Sequence, residues 1–133
     1  MATKPLAPLK FPPGPALKPL YDRVVEIATR YPGVEISRSY GTPSIKVAGK
    51  VMARLRTEAE GGLALRCDVV EQETLMETAP DVFYITDHYQ GSDMFLINLE
   101  KVDWETMEEL IRGAWYRVAK PRLIKTFESA EGA

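Results

Sequence analysis

This chain of 133 residues has one cysteine and one histidine, and the two scarcities remove whole classes of chemistry. A lone Cys67 cannot close an intramolecular disulfide or supply a multi-cysteine zinc or iron–sulfur site. Such sparse cysteine suits a reducing cytosol. A lone His88, with no nucleophile or second metal ligand spaced beside it, leaves little from which to build acid–base or covalent catalysis. There is no apolar run long enough to span a membrane, and no charged-then-apolar start of a secretion signal. A large net charge is also missing. At −2 the chain is no strongly basic nucleic-acid coat. The expectation is a cytoplasmic, non-catalytic protein without metal or cofactor.

The charge that is present is segregated. Residues 1–56 carry ten Lys/Arg against three Asp/Glu, residues 57–111 two against fourteen, and residues 112–133 five against two. Either one face is basic and another acidic, or the segments neutralise each other within one domain.

Five prolines among residues 5–15 deny that stretch a helix and predict an extended arm over residues 1–16. A single domain over 17–129 follows, then a short tail, 130–133. Leu20, Val24, Ile27, Ala28 and Tyr31 recur at helical spacing, and Pro32-Gly33 ends that helix. Strands are predicted at 34–39, 44–47, 51–56 and 63–67, joined by short turns containing Gly49 and Gly61-Gly62. Asp68 caps a short helix to Glu77. Two more strands span 82–86 and 94–99, and Asp103 caps a long helix whose stripe is Met107, Leu110, Ile111, Ala114, Trp115 and Val118. Past Pro121 the pattern gives only a short helical turn, 122–128. The order is helix, four strands, helix, two strands, helix. Short links make the sheet mainly antiparallel, with helices on one face, a two-layer α+β fold.

Alternation sorts the strand residues. Ile45, Val47, Val51, Ala53, Leu55, Leu63, Leu65 and Cys67 face the helices, and Lys46, Arg54, Arg56 and Arg66 face away. Lys50 and Arg38 lie near them. Met52, Met94 and Leu96 share that outer face and form an apolar patch among the cations, a pattern that often marks an interface. Gly41-Thr42-Pro43-Ser44 lacks the Gly-Lys-Ser/Thr of a nucleotide loop and reads as a turn feeding a strand. His88 reads as a loop-fixing side chain and Cys67 as a buried apolar one. Trp115 belongs to the core, whereas Arg112 and Tyr116 lie off the helical stripe and are free to meet a partner.

Several ordered motifs resemble the MmcQ/YjbR family: Gly41-Thr42-Pro43-Ser44-Ile45-Lys46-Val47, Ala53-Arg54-Leu55, Leu63-Ala64-Leu65-Arg66-Cys67-Asp68, the segment from Asp81 to Gly91, and Ala114-Trp115-Tyr116-Arg117 running to Leu123. The resemblance implies a fold shared with type III secretion chaperones and a "double wing" sheet that binds DNA. On that reading Lys46, Lys50, Arg54, Arg56 and Arg66 contact nucleic acid. The alternative from the residues is a protein-interaction or self-associating module working through Met52, Met94 and Leu96. Three features depart from the family pattern: Ser92-Asp93-Met94-Phe95 after Gly91, Asn98 where an arginine is common, and the acidic balance.

Overall fold

A computed structural model describes residues 9–132. Its core forms because one antiparallel sheet buries its apolar face under two amphipathic helices. Helix α1 (Lys18–Ala28) contributes Tyr21, Val24, Ile27 and Ala28. Strands β1 (Val34–Ser39), β2 (Thr42–Val47), β3 (Lys50–Leu55) and β4 (Leu63–Arg66) follow as a meander. Helix α2 (Val69–Thr78), strands β5 (Phe83–Tyr84) and β6 (Met94–Ile97), and helix α3 (Trp104–Val118) complete the expected order. The sheet order is β1-β2-β3-β4-β6-β5, and every pairing is antiparallel.

Local chemistry accounts for the boundaries. Asp68 accepts hydrogen bonds from the amides of Val70 and Glu71, and Asp103 accepts one from Thr106, so both helices begin on a side-chain cap. Ala48 and Gly49 both have positive φ, 51° and 81°, which is the two-residue turn whose twist suits a hairpin. Between the sheet and α1 and α3, Ile45, Leu55, Leu63, Leu65, Phe95, Ile97, Met107, Ile111 and Trp115 are fully buried in one cluster. The Trp115 indole donates to the Pro32 carbonyl at 2.9 Å, fixing the end of α1 against α3.

The structure departs from the expected elements in three places. Strand β5 has two residues rather than the five of 82–86. Beyond Pro121 there is a full helix, α4 (Pro121–Glu131), rather than a turn, and it runs past the boundary placed at residue 129. Its Leu123, Ile124 and Phe127 pack against Tyr31, Trp115 and Tyr116, and the Arg112 guanidinium pairs with both carboxylate oxygens of Glu131 at 3.2 Å. Arg112 and Tyr116 therefore meet this chain's own last helix. Residues 1–8 of the predicted arm lie outside the described residues; nearer the domain, the Phe11 amide donates to the Gly41 carbonyl at 2.8 Å.

The third departure is a β-bulge in β3. Ile45 pairs with Ala53, but Lys46 pairs with Val51, which leaves Met52 as an extra residue. Alternation slips there. Val51 goes to the outer face opposite Lys46, and Met52 turns inward, fully buried in the main core. Truncating Met52 to Ala is expected to cost about 2–5 kcal/mol of unfolding free energy in a urea titration, whereas a surface methionine would cost almost nothing.

Candidate functional site

The outer face of the sheet is not bare. After β5 the chain turns through Asp87–Tyr89 and folds back, laying Tyr89 on Ala64 of β4 and Leu96 of β6. Leu96 is 0% exposed, and Met94, Tyr84 and Ile85 pack around this second, smaller cluster. The expected apolar patch of Met52, Met94 and Leu96 therefore does not exist as a surface. Met52 lies under the sheet, Leu96 is covered, and Met94 is half-buried.

Register places Lys46, Arg54 and Arg66 on this outer face, opposite Val51, Ala64 and Met94. Their surroundings differ. Arg66 is a structural residue: its Nε donates to the Val51 carbonyl at 2.8 Å and its Nη1 to Asp93 at 2.6 Å. Asp93 also faces Arg117 at 3.7 Å, and Arg117 faces Asp68 at 3.9 Å, so this corner is a closed ionic network. The Gln72 amide, buried, donates to the carbonyls of Cys67 and Ser92 and seats α2 beside it. Lys46 is half-buried on the outer face, whereas the bulge turns Lys50, paired with core-facing Val47, to the helix side of the hairpin end, where it is exposed; neither forms an ion pair among the described residues. Arg38 lies on the helix side of edge strand β1, off the outer face, with Nε and Nη1 buried and unpartnered.

Arg54 and Arg56 come together. They line a groove of about 500 Å³ with Tyr40, Glu60, His88 and Tyr89. Arg54 Nε donates to Thr42 Oγ1 at 2.9 Å and to the Ser39 carbonyl at 3.2 Å, which holds its guanidinium 5.1 Å from the Tyr40 ring centroid. Tyr40 is 86% exposed and sits at φ 54°, the left-handed region that a bulky residue adopts only where a turn enforces it. Arg56 lies 5.6 Å from the centroid of Tyr89. Glu60 accepts from the amide and hydroxyl of Thr57, and those bonds, with Arg56 and Arg54 nearby, hold its carboxyl below the usual carboxylate range. His88 is exposed and edge-on to Tyr89 at 5.0 Å rather than hydrogen-bonded to the backbone. Sequence reasoning found Arg54 and Arg56 but passed over Tyr40 and Tyr89 as site residues. The available signal was an aromatic directly before the turn glycine, Tyr40-Gly41.

The other chemical candidates are inert. Cys67 is buried, and desolvation, followed by the Glu71 and Asp68 carboxylates, pushes its thiol from an ordinary 9.0 to about 12. Among the described residues no group of three or more His, Cys, Asp or Glu is placed to hold a metal ion, and no helix is long and apolar enough to cross a membrane.

Comparison with known proteins agrees with this geometry at the level of family and fold. The sequence model of the YjbR family matches residues 29–117, from the end of α1 through α3. The chain belongs to the YjbR family. It is similar to the uncharacterized proteins Rv2570 of Mycobacterium tuberculosis and Mb2600 of Mycobacterium bovis, each 31% identical over 58 residues. Those matches take in 44% of this chain and 45% of each relative, so the chain spans less than half the length of either. The crystal structure of Deinococcus radiodurans protein DR2400, with the family-model domain DUF419, superposes with a TM-score of 0.66 at 20% identity, over 76% of this chain and 79% of that one. The fold of this YjbR member is thus shared with a solved structure. Neither the family nor these relatives gives a sign of catalytic activity.

Two measurements check the division between structural and free residues. Arg66→Met is expected to lower stability by about 1–3 kcal/mol, because the Val51 carbonyl and Asp93 lose their donor, while Lys50→Ala stays within about 0.5 kcal/mol of wild type. The Cys67 thiol is expected to react with a thiol reagent at mildly alkaline pH only as fast as the chain unfolds. Its folded value is raised, so its contribution to stability is whole below the ordinary 9.0 and is lost as pH rises toward about 12, which an alkaline denaturation series reads directly.

Proposed function

We propose that this YjbR protein is a non-catalytic binding protein of the cytoplasm that holds single-stranded nucleic acid on the outer face of its sheet. The groove of Tyr40, Arg54 and Arg56 is its centre, and Lys46 extends the cationic track on that face. The observation that carries the reading is Tyr40: a wholly exposed aromatic ring, presented by a strained turn and backed by a fixed guanidinium. Single-strand binders combine such features, because an aromatic face stacks any base and neighbouring cations follow the phosphates. A duplex is the poorer fit. Helices α1 and α3 are packed beneath the sheet, leaving no recognition helix free on this face to enter a major groove.

Arg66 drops out of the contact set because Asp93 neutralises it. The protein-interaction alternative through Met52, Met94 and Leu96 loses its surface for the reason given above.

Fluorescence anisotropy of labelled single-stranded and duplex DNA at about 50 and about 200 mM salt tests the proposal. Single strands are expected to bind more tightly. The logarithm of the affinity should fall by about 0.7 per phosphate contacted for each tenfold rise in salt, and the few cations of this face set a shallow slope. Tyr40→Ala is expected to weaken binding by about 1–3 kcal/mol without changing the fold. Equal affinity for duplex, or indifference to Tyr40→Ala, would overturn the reading.

A further inference from the structure

Arg56 is held in a way that elementary electrostatics disfavours. Its side chain is 10% exposed, and its Nε and Nη1 are buried with no hydrogen-bond partner. The carboxylate beside it, Glu60, places Oε2 3.6 Å from Nη2, outside hydrogen-bond reach, while Oε1 is committed to Thr57. A buried guanidinium with open donors destabilises a fold unless an anion completes it, and in native proteins such a group signals an ion or ligand that belongs there. The neighbours describe that ligand. Arg54 stands in the same groove with its guanidinium fixed through Nε, so a second cation is already oriented at no further entropic cost. Tyr40 offers an exposed ring face, and His88 and Tyr89 line the same groove. A volume of about 500 Å³ lies within the range of small-ligand sites.

We propose that this groove is a subsite for a nucleoside phosphate, with the phosphate between Arg54 and Arg56 and the base against Tyr40, and that Glu60 is a built-in competitor standing at the phosphate position. The subsite deepens the single-strand reading and rests on it, because the phosphate can belong to a free nucleotide or to the end of a strand. Glu60 is suited to withdraw. It belongs to the turn of residues 57–62 between β3 and β4, its side chain is 44% exposed, and Gly61 and Gly62 follow it at φ 74° and 83°. Two successive glycines give this turn a backbone freedom that other residues lack.

Calorimetric titration of the full chain with adenosine monophosphate, adenosine and inorganic phosphate is the test, alongside a labelled oligonucleotide with and without a 5′-phosphate. The monophosphate is expected to bind at least about tenfold more tightly than either fragment. Glu60→Gln should tighten it about tenfold by removing the competing charge, and Tyr40→Ala should loosen it by a similar factor. Arg56→Met should abolish it. Should that variant unfold by circular dichroism, the two exposed substitutions carry the test alone. Failure of wild type and Glu60→Gln alike to bind the monophosphate at millimolar concentration overturns the subsite, as does inorganic phosphate binding equally well. Oligonucleotide binding without monophosphate binding removes the subsite and leaves the strand surface standing. Monophosphate binding without oligonucleotide binding keeps the subsite and removes the strand surface.

Discussion

The ring of Tyr89 on Ala64 and Leu96 decides what the outer face of this sheet can do. An open antiparallel sheet has two faces and only enough helix to cover one. Here the segment around residues 85–93 covers part of the second, over Ala64 and Leu96. Sealing Leu96 from water contributes about 1.5–3 kcal/mol, and the same fold-back gives the groove its aromatic wall. Asp93, at the end of that segment, locks Arg66 and meets Arg117. Loss of the Tyr89 contact would therefore expose Leu96 and remove a wall of the groove together.

Part of the chain's segregated charge is neutralised locally. Arg30 meets Glu108, Arg66 meets Asp93, and Arg117 meets Asp68 and Asp93, so basic residues from both ends of the chain pair with its acidic middle. Pairs this exposed contribute little energy each. Their effect is on the field: they remove cations from the pool that an anionic ligand could use. On the outer face, Lys46 and Arg54 are left without a carboxylate partner among the described residues, and Arg56 shares the groove with Glu60.

Helices α1 and α3 were legible because each carries an apolar stripe, and α2 and α3 because each begins on an aspartate cap. Alternation placed Ile45, Val47, Leu55, Leu63 and Leu65 correctly, since period-two patterning reports which face is buried. Met52 defeated that logic because a bulge adds one residue and inverts the sense of everything before it, and nothing in Lys50-Val51-Met52-Ala53 marks the insertion. Leu96 defeated it differently. A strand apolar on both faces was read as an exposed patch, when the covering residue, Tyr89, lies within a loop whose path no local pattern encodes. Helix α4 was under-read because its stability comes from tertiary contact with Tyr31, Trp115 and Tyr116 rather than from capping or propensity. In the site, the cations were legible by residue type and parity. Which of them stay free depended on partners distant in sequence, such as Asp93 for Arg66.

The two margins of the sheet are unequal. At one margin β5 is two residues long, too short to template another strand; at the other, β1 runs for six residues with Ile36 48% exposed and the charged Glu35 beside it. A sheet with a single usable margin can be extended only there. When two identical margins meet about a two-fold axis, both are consumed and none remains to propagate. The stunted β5 thus leaves β1 as the margin with room for a further strand, and a symmetric pairing there would use it up.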